Sequence, residues 1–429
     1  MIKNNYDKKF SIAHWDGCHD DNFFLKSFEN ASEQWRNEIY DIYFGATFEY
    51  DGITYGDVMG VNASPAHYKN LLKIQEKYGI PISLTLNSMN MPIDMIRHDV
   101  VECFLRYIKK YYDDGVRICT ISHTHLMRLG ALQDAFPDMD WKNTVNHGIN
   151  STQEMIDFAA LGYTTIQLDR DFNRNLNELK RAKKEATRLG IKTCLLIRES
   201  CMPQCPFKQE HDHWQPGKAL KEIGKSYWEV VPFTCNTWRT ANFSSGTQQE
   251  IDSGVINPRT ATNIMVHSKD DWDEFASLVD IFKTSGRLNR FSDTEEPDFG
   301  YYYQMWKDPK KQMNHPPPQT YMFKASCFKD IYENNLAPIH MWFISVAHRK
   351  GYPLITDIDE IKKITANNFW NSEEAIDLQN TLKRCKNQCY SCHKCDDLFQ
   401  TGNMESVLNI PITHSDRTVV KSHSVQDVY

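Results

Sequence analysis

Four cysteines lie close together near the end of the chain, in the run CKNQCYSCHKC. They are Cys385, Cys389, Cys392 and Cys395, with the spacing CxxxCxxCxxC. Four thiolates this close in sequence can surround one metal ion or cluster at a small cost in loop-closure entropy. The run therefore predicts a metal site, and taken alone it allows either an iron–sulfur cluster or zinc. Disulfides are not favoured, since the twelve cysteines are spread over 429 residues with no export signal.

A second cysteine feature lies in the run RESCMPQCPFKQEHDHW, residues 198–214. Cys201 and Cys205 directly follow a predicted strand, and Cys235 is a candidate third thiolate from the same region. Three thiolates complete neither a closed zinc site nor a four-iron cluster, so a fourth ligand must come from elsewhere. His211 and His213 are candidates for a zinc version, with an exposed polar turn as the simpler interpretation.

Strand-like and helix-like patterns alternate along the first 290 residues, which predicts the elements that position these groups. Amphipathic helices are expected at 92–113, 151–161 and 173–189, with a capping box at Ser151 and Glu154. Eight strands separated in this way favour an α/β fold, a (β/α)8 TIM-like barrel of parallel strands. The strands are predicted at 10–14, 39–45, 81–87, 117–122, 142–146, 164–168, 193–199 and 279–285.

Differences in composition divide the chain into a predicted barrel with an insertion and three further segments that follow it. The barrel is expected to span residues 1–295 and to carry a long insertion, residues 200–268, between the seventh and eighth strands. An irregular and then helical extension follows at 296–384. The four-cysteine motif occupies 385–400, and a polar tail occupies 401–429.

Catalytic groups in such a barrel sit at the carboxyl ends of the strands. Arg170, Lys283 and Arg287 occupy such positions and can orient a carboxylate or phosphate, with ordinary salt bridges as the alternative role. For proton transfer the candidates are Glu199, Asp169 and His147, which follow three different strands. Cys119 and Cys194 lie within strands and are expected to be core residues.

Composition and net charge limit which binding partners and which cellular location are expected. A hydrophobic share of 41% and a charged share of 24% indicate an ordinary globular protein. The absence of a long apolar segment predicts a cytoplasmic protein with no membrane contact. A net charge of −7 does not favour nucleic acid as a partner, although local basic stretches leave it open. A small-molecule substrate is expected, and a partner subunit remains open.

Several segments, in order, resemble the collagenase-like peptidase family, also called the U-thirty-two (U32) peptidases. DIYFGATF (41–48) is similar to the family's early "VYFG" element, and LGYTTIQLDRDFNRNLNELK (161–180) is similar to a segment that carries a motif arginine, here Arg170. LLIRESCMPQCPF is similar to the cysteine loop that follows a barrel strand. VDIFKTSGR (279–287) is similar to "idsfKIeGR". The collinear similarity covers roughly residues 40–290.

The resemblance implies a TIM-like barrel and, as in several branches of the family, a 4Fe-4S cluster held by four cysteines. Those branches resemble oxygen-independent hydroxylation systems that act on quinone precursors or RNA bases. Cys201, Cys205 and Cys235 correspond approximately to the family's cysteine region, but the segment INPRTATN has no cysteine where the family often places its last ligand. One cluster or two are therefore expected. CxxxCxxC also matches the radical S-adenosylmethionine signature, but here it does not follow the first strand.

The leading hypothesis is an iron–sulfur oxidoreductase or hydroxylase acting on a small anionic or aromatic substrate. A zinc-dependent hydrolase or peptidase, with Glu199 activating water, is the main alternative; no HExxH motif occurs. A non-catalytic binding protein whose tail holds structural zinc is the second alternative.

Overall fold

The computed structural model describes residues 10–14, 22–30, 33–57, 62–197, 208–209, 212, 272–284, 380–381, 383–386 and 388–392. Within these ranges eight parallel strands close into a barrel, in the order β1-β10-β9-β8-β7-β6-β5-β2, and two further strands, β3 and β4, form an antiparallel hairpin. The predicted (β/α)8 TIM-like barrel is confirmed. The strands are β1 (Phe10–Ala13), β2 (Ile39–Gly45), β3 (Thr47–Tyr50), β4 (Ile53–Gly56), β5 (Ile82–Leu86), β6 (Ile118–Ile121), β7 (Asp140–Lys142), β8 (Thr165–Leu168), β9 (Lys192–Ile197) and β10 (Ile281–Thr284).

Helices separate most of the barrel strands and cover the outside of the barrel. The α-helices are α1 (Phe23–Asn30), α2 (Glu33–Asn37), α3 (Pro65–Tyr78), α4 (His98–Asp113), α5 (Thr124–Arg128), α6 (Ala131–Ala135), α7 (Thr152–Ala160), α8 (Leu176–Leu189), α9 (Trp272–Ser277) and α10 (Cys389–Cys392). The described ranges also contain 3₁₀ turns at Ile93–Ile96, Val145–His147 and Arg170–Arg174. No helix in the described part of the chain is both long enough and apolar enough to cross a membrane.

The ends of the helices follow the local sequence signals. Ser151 caps α7 by accepting a hydrogen bond from the backbone N–H of Glu154, at 3.2 Å. The Glu154 carboxylate in turn accepts from the backbone N–H of Asn150, at 2.8 Å, one residue earlier than in a standard capping box. Helix α8 ends at Gly190, whose φ of 68° is the left-handed conformation that glycine adopts without strain. These signals fix where the helices around β8 begin and end.

The hydrophobic core lies between the barrel and its helices. Phe44, on the outer face of β2, contacts Tyr68 of α3 and Tyr111 of α4, with ring centroids 5.3 and 5.9 Å apart. The hairpin adds Phe48, which packs edge-on against Phe104 at 5.1 Å. Because the outer faces of the strands supply this packing, the inner faces are left available for a different purpose.

Three details differ from the sequence-based expectation. The fifth barrel strand is Asp140–Lys142 and is followed by a 3₁₀ turn, whereas the prediction placed it at 142–146. The helix predicted over 92–113 is interrupted at Arg97, which is extended (ψ 141°) and pairs with Asp51 and Asp99. The hairpin β3–β4 was not predicted, although its Asp51–Gly52 turn has the positive φ angles and the Asp-Gly sequence of a type I′ turn.

Candidate active site at the barrel mouth

The inside of the barrel is lined by polar side chains. Strand register places Ser11 beside both Asp41 and Lys283, Tyr43 beside Ser83, and Gly45 beside Thr85. The same alternation brings Thr120, Lys142, Thr165, Gln167 and Cys194 to the inner face. Branched apolar side chains usually fill this space in a TIM-like barrel. Here much of the space holds hydroxyls, amides and charges, beside the apolar side chains of Ile118, Leu196 and Ile281.

The central contact of the lumen is an ion pair between Lys142 and Asp41, which reaches across the barrel from β7 to β2. Lys142 donates to Oδ2 of Asp41, and the two side chains are 3% and 0% exposed. Burial alone would lower the pKa of Lys142, but the nearby Asp41 carboxylate, with further contributions from Cys194 and Asp140, holds this pKa above its usual value. The lysine is therefore charged at neutral pH, and Asp41 is its counter-ion.

Lys283 lies nearer the mouth, one residue before the end of β10. Its ammonium donates to Oε1 of Gln167 at 3.2 Å and lies 4.4 Å from the centre of the Tyr43 ring. Asn143 fixes the orientation of the Gln167 amide, since the Asn143 carbonyl accepts from Nε2 and the Asn143 side chain accepts from the Gln167 backbone N–H at 2.5 Å. A positive charge is thus held in a defined position at the upper end of the lumen.

The carboxyl end of β8 opens into the 3₁₀ turn that contains two buried arginines. Asp169 caps the turn by accepting from the backbone N–H of Asp171 at 2.9 Å. Arg170 is 8% exposed, and Arg174 is 2% exposed and pairs with Asp171 at 2.5 Å. Desolvated guanidinium groups bind oxyanions and thiolates more strongly than exposed ones do. The structure thus brings Asp169 and Arg170, both predicted site residues, to the barrel mouth.

The start of the four-cysteine motif docks on this same turn. The backbone N–H of Cys385 donates to the Arg174 carbonyl at 3.1 Å, and the Leu176 N–H donates to the Lys383 carbonyl at 3.1 Å. An antiparallel bridge joins Asn175 to Arg384. The Arg174 guanidinium also reaches the Cys385 sulfur, with Nη1 4.0 Å from Sγ. A segment more than 200 residues away in sequence is therefore held at the end of β8.

The described part of the tail fits a metal or cluster site in its donor chemistry. Cys385 is half-buried beside the Arg174 guanidinium. Cys389 and Cys392 are the first and last residues of the single turn α10, and the side chain of Cys392 is exposed. Within the described ranges no three His, Cys, Asp or Glu side chains are grouped as metal ligands. Cys395 lies outside those ranges, so the full set of four remains a prediction.

His147 occupies the loop after β7 and is held from both sides. Its Nε2 lies 2.8 Å from the Ser122 carbonyl oxygen, and its ring is 4.8 Å from that of Phe158. A carbonyl can only accept, so Nε2 carries the proton and Nδ1 has the free lone pair. Nδ1 is buried with no partner among the described residues. Burial lowers the pKa of His147 to about 4, so the imidazole is neutral at pH 7.

A short part of the long insertion also lies at this edge of the barrel. Lys208 forms an ion pair with Asp212 at 2.6 Å. A methyl group built on Gly148 would lie 3.9 Å from both the Lys208 side chain and Oδ2 of Asp169. Lys208, Gly148 and Asp169 are therefore neighbours beside His147, which places this part of the insertion at the mouth.

The remaining predicted site residues fall outside the described part of the chain. They are Glu199, Arg287, Cys201, Cys205, Cys235 and Cys395. Among the cysteines expected in the core, Cys119 is buried on the outer face of β6. Cys194 instead faces the lumen, where burial raises the pKa of its thiol to about 11 against the opposing effect of Lys142 and Lys283.

Two features of the site were missed from the sequence. Asp41 and Lys142 lie in runs that the sequence predicts as apolar strands, and the signal for a charged lumen is the single aspartate of IYDIYFG and the alternating charges of DWK. Arg174 lies within the helix predicted over 173–189, and nothing in the sequence indicates its contact with Cys385.

Comparison with known proteins gives only distant structural similarities. No family model and no curated protein matches the chain. Among solved structures, the U32 peptidase Mk0906 aligns with a TM-score of 0.42 at 10% identity, over 65% of this chain and 93% of its own. The carboxyl transferase domain of Rhizobium etli pyruvate carboxylase aligns with a TM-score of 0.32 at 10% identity, over 84% and 59%. Similarities at this level carry no argument about activity.

Proposed function

We propose that this protein is an iron–sulfur enzyme, of oxidoreductase or oxygen-independent hydroxylase type, which acts on a small anionic or aromatic substrate at the mouth of the barrel. The observation that carries the proposal is the docking of Cys385 on Arg174, directly after the strand end that holds Asp169 and Arg170. The docking brings a predicted metal ligand to the place where a TIM-like barrel carries its catalytic groups. A metal site with a purely structural role in the tail would not require this contact.

The residues of the chain have separate roles in this proposal. Cys385, Cys389, Cys392 and Cys395 would hold a 4Fe-4S cluster, which when bound would supply electron transfer; an open iron for an oxygen-bearing ligand would require a cluster with only three protein thiolates. Arg170 and Lys283 attract and orient an anionic group of the substrate, together with Arg287 as predicted from the sequence. Cys201, Cys205 and Cys235 are proposed to hold a second cluster, with a fourth ligand not yet assigned.

Proton transfer is assigned to groups around the same mouth. His147 is neutral at pH 7, and its Nδ1 lone pair is oriented by the hydrogen bond from Nε2 to Ser122. Nδ1 is therefore proposed as a proton acceptor. Asp169, whose Oδ1 is already engaged by the Asp171 N–H, is proposed to orient the substrate or its proton through Oδ2. Glu199 keeps its predicted role as a further acid or base.

Substitution of the docked cysteine tests the proposal. Cys385→Ser, in protein purified without oxygen, is expected to lose the iron held by the tail, because serine is a poor ligand for iron in place of a thiolate. Cys103→Ser is the matched control, since Cys103 also lies beside an arginine, with Arg106 Nη2 2.9 Å from its sulfur, but on α4 outside the barrel. Iron and acid-labile sulfide are measured in both variants, with absorption spectra.

Three outcomes separate the alternatives. Loss of iron and sulfide in Cys385→Ser alone supports the proposal, and the same substitution at Cys201 and Cys205 then tests the second site. Iron retained in full by Cys385→Ser contradicts the assignment of the tail. Zinc in wild-type protein, lost in Cys385→Ser, would replace the proposal by the zinc-dependent hydrolase if peptide turnover is found, and by the binding protein if it is not.

A further inference from the structure

The 3₁₀ turn at Arg170–Arg174 contains a chain of contacts that runs from the tail to Asp169. The Arg174 guanidinium lies between two partners, with Nη1 4.0 Å from the Cys385 sulfur and Nη2 donating to Oδ1 of Asp171 at 2.5 Å. The backbone N–H of Asp171 in turn donates to Oδ1 of Asp169 at 2.9 Å. The docked tail and a candidate catalytic carboxylate are therefore joined through one buried arginine and one aspartate.

Backbone hydrogen bonds hold the tail end of this chain in place. The Cys385 N–H donates to the Arg174 carbonyl, and the Leu176 N–H donates to the Lys383 carbonyl, both at 3.1 Å. Arg174 thus receives the tail with its carbonyl and holds Asp171 with its side chain. Departure of the tail would release the Arg174 carbonyl and remove one of the two partners of its guanidinium.

The other end of the chain fixes the direction of the Asp169 carboxylate. Oδ1 accepts from the Asp171 N–H, and Oδ2 lies beside Gly148, where a methyl group built on the glycine would be 3.9 Å from it. Gly148 directly follows His147, the proposed proton acceptor. A carboxylate that is already held in one orientation loses little further freedom when a substrate binds, which favours reaction.

The turn has separate anchors to the barrel. Nδ2 of Asn173 donates to the Leu196 carbonyl in β9 at 2.9 Å, and the Asp169 N–H donates to the Ile149 carbonyl at 2.8 Å. Neither bond involves the tail. Loss of docking is therefore expected to free the side chains of the turn while its backbone stays attached to the barrel.

We propose that Arg174 is a positioning residue, which couples docking of tail residues 383–385 to the orientation of Asp169. The proposal rests on the proposed function for the role of Asp169 in the reaction, whereas the coupling itself requires the docking contacts and not a bound metal. Because coupling between two sites is reciprocal, the ordered turn also stabilises the docked tail. The competing explanation is a local ion pair between Arg174 and Asp171, three residues apart, which does not depend on the tail.

Hydrogen exchange at single amides, followed by NMR of the full-length protein, tests the coupling. The reporter is the Asp171 amide, which is protected while Asp169 accepts from it. Cys385→Pro removes the N–H and the sulfur that meet Arg174, and it is expected to speed exchange of this amide by roughly fivefold, the effect of one lost hydrogen bond. Lys386→Pro is the matched control, because it places proline at the next position, where the lysine is exposed. Equal exchange of the Asp171 amide in the two variants would overturn the proposal and support the local pair.

Substitution of the arginine tests the same coupling from its centre. Arg174→Lys keeps the positive charge but not the planar group that meets two partners at once, so exchange of the Asp171 and Cys385 amides should rise together, by at least roughly fivefold. The control amide is that of Asn146, which donates to Oγ1 of Thr144 at 3.2 Å in a similarly capped 3₁₀ turn after β7. An equal rise at all three amides would indicate general destabilisation and contradict a positioning role.

Cys392→Ser separates this inference from the proposed function. The variant removes a predicted metal ligand in α10 and leaves the docking contacts of Cys385 unchanged. Loss of iron with unchanged exchange of the Asp171 amide is the expected result, and faster exchange would contradict a coupling that needs only the docking contacts. If wild-type protein holds no iron and Cys385→Pro still speeds exchange, the proposed function fails alone. If iron is present and Cys385→Pro leaves exchange unchanged, the inference fails alone.

Discussion

The buried pair of Lys142 and Asp41 leads to a prediction about stability whose size can be worked from the structure. Both side chains are almost completely buried, so removal of one leaves an uncompensated charge in the barrel. Such a change costs roughly 3–5 kcal/mol of unfolding free energy, whereas replacement of both partners by apolar residues is often neutral or stabilising. Lys142→Met and Asp41→Val should each therefore destabilise strongly, and the double variant should be close to wild type or above it.

Urea unfolding followed by circular dichroism measures the free energy of unfolding of the wild-type protein, the two single variants and the double variant. Lys180→Met is the matched control, because Lys180 pairs with Glu274 at 2.7 Å and the two side chains are 49% and 52% exposed. An exposed pair contributes less than about 1 kcal/mol. Because the folded pKa of Lys142 is raised, the stabilisation by its charge is complete below the unfolded lysine pKa of about 10.4 and is lost as the pH rises through the higher folded value. A cost below about 1 kcal/mol for Lys142→Met would refute the reasoning.

Three further predictions concern single side chains. Tyr55→Phe should lower the unfolding free energy by roughly 2 kcal/mol in urea, because the buried hydroxyl accepts from the backbone N–H groups of Ser122 and His123 and donates to the Leu86 carbonyl; an unchanged midpoint would contradict it. Ser151→Ala should cost about 1 kcal/mol through loss of the α7 cap, and Ser151→Asp should restore most of it. Burial lowers the pKa of His147 to about 4, so the neutral ring stabilises the fold fully above pH 6.5, and up to about 3 kcal/mol of unfolding free energy is lost as the pH falls toward 4. The variant His147→Gln should lose less unfolding free energy over the same pH range. An equal loss would exclude His147 as the cause.

The sequence predicts the barrel well because its eight strands are apolar on their outer faces and are separated by helices with clear caps. Ser151 and Gly190 are local signals, and they take the positions expected of them. The fifth strand lies earlier in the chain than predicted, because its short run, Asp140–Lys142, has charged residues on the inner face and lacks the apolar pattern of a buried strand. The hairpin had a recognisable Asp-Gly turn that was not used.

The candidate site was harder to predict, because its important contacts are between residues far apart in sequence. Lys142 reaches Asp41 across the lumen, and Arg174 meets Cys385 only after the tail has returned to the barrel. Position at a strand end did identify Asp169, Arg170 and Lys283.

The central claim is that the chain carries an iron–sulfur cluster at the mouth of the barrel. Its most direct test is the content of iron, acid-labile sulfide and zinc in wild-type protein purified without oxygen. Matched iron and sulfide, at about four of each per chain for one cluster or about eight for two, is the result that we predict. Zinc without sulfide would contradict the claim.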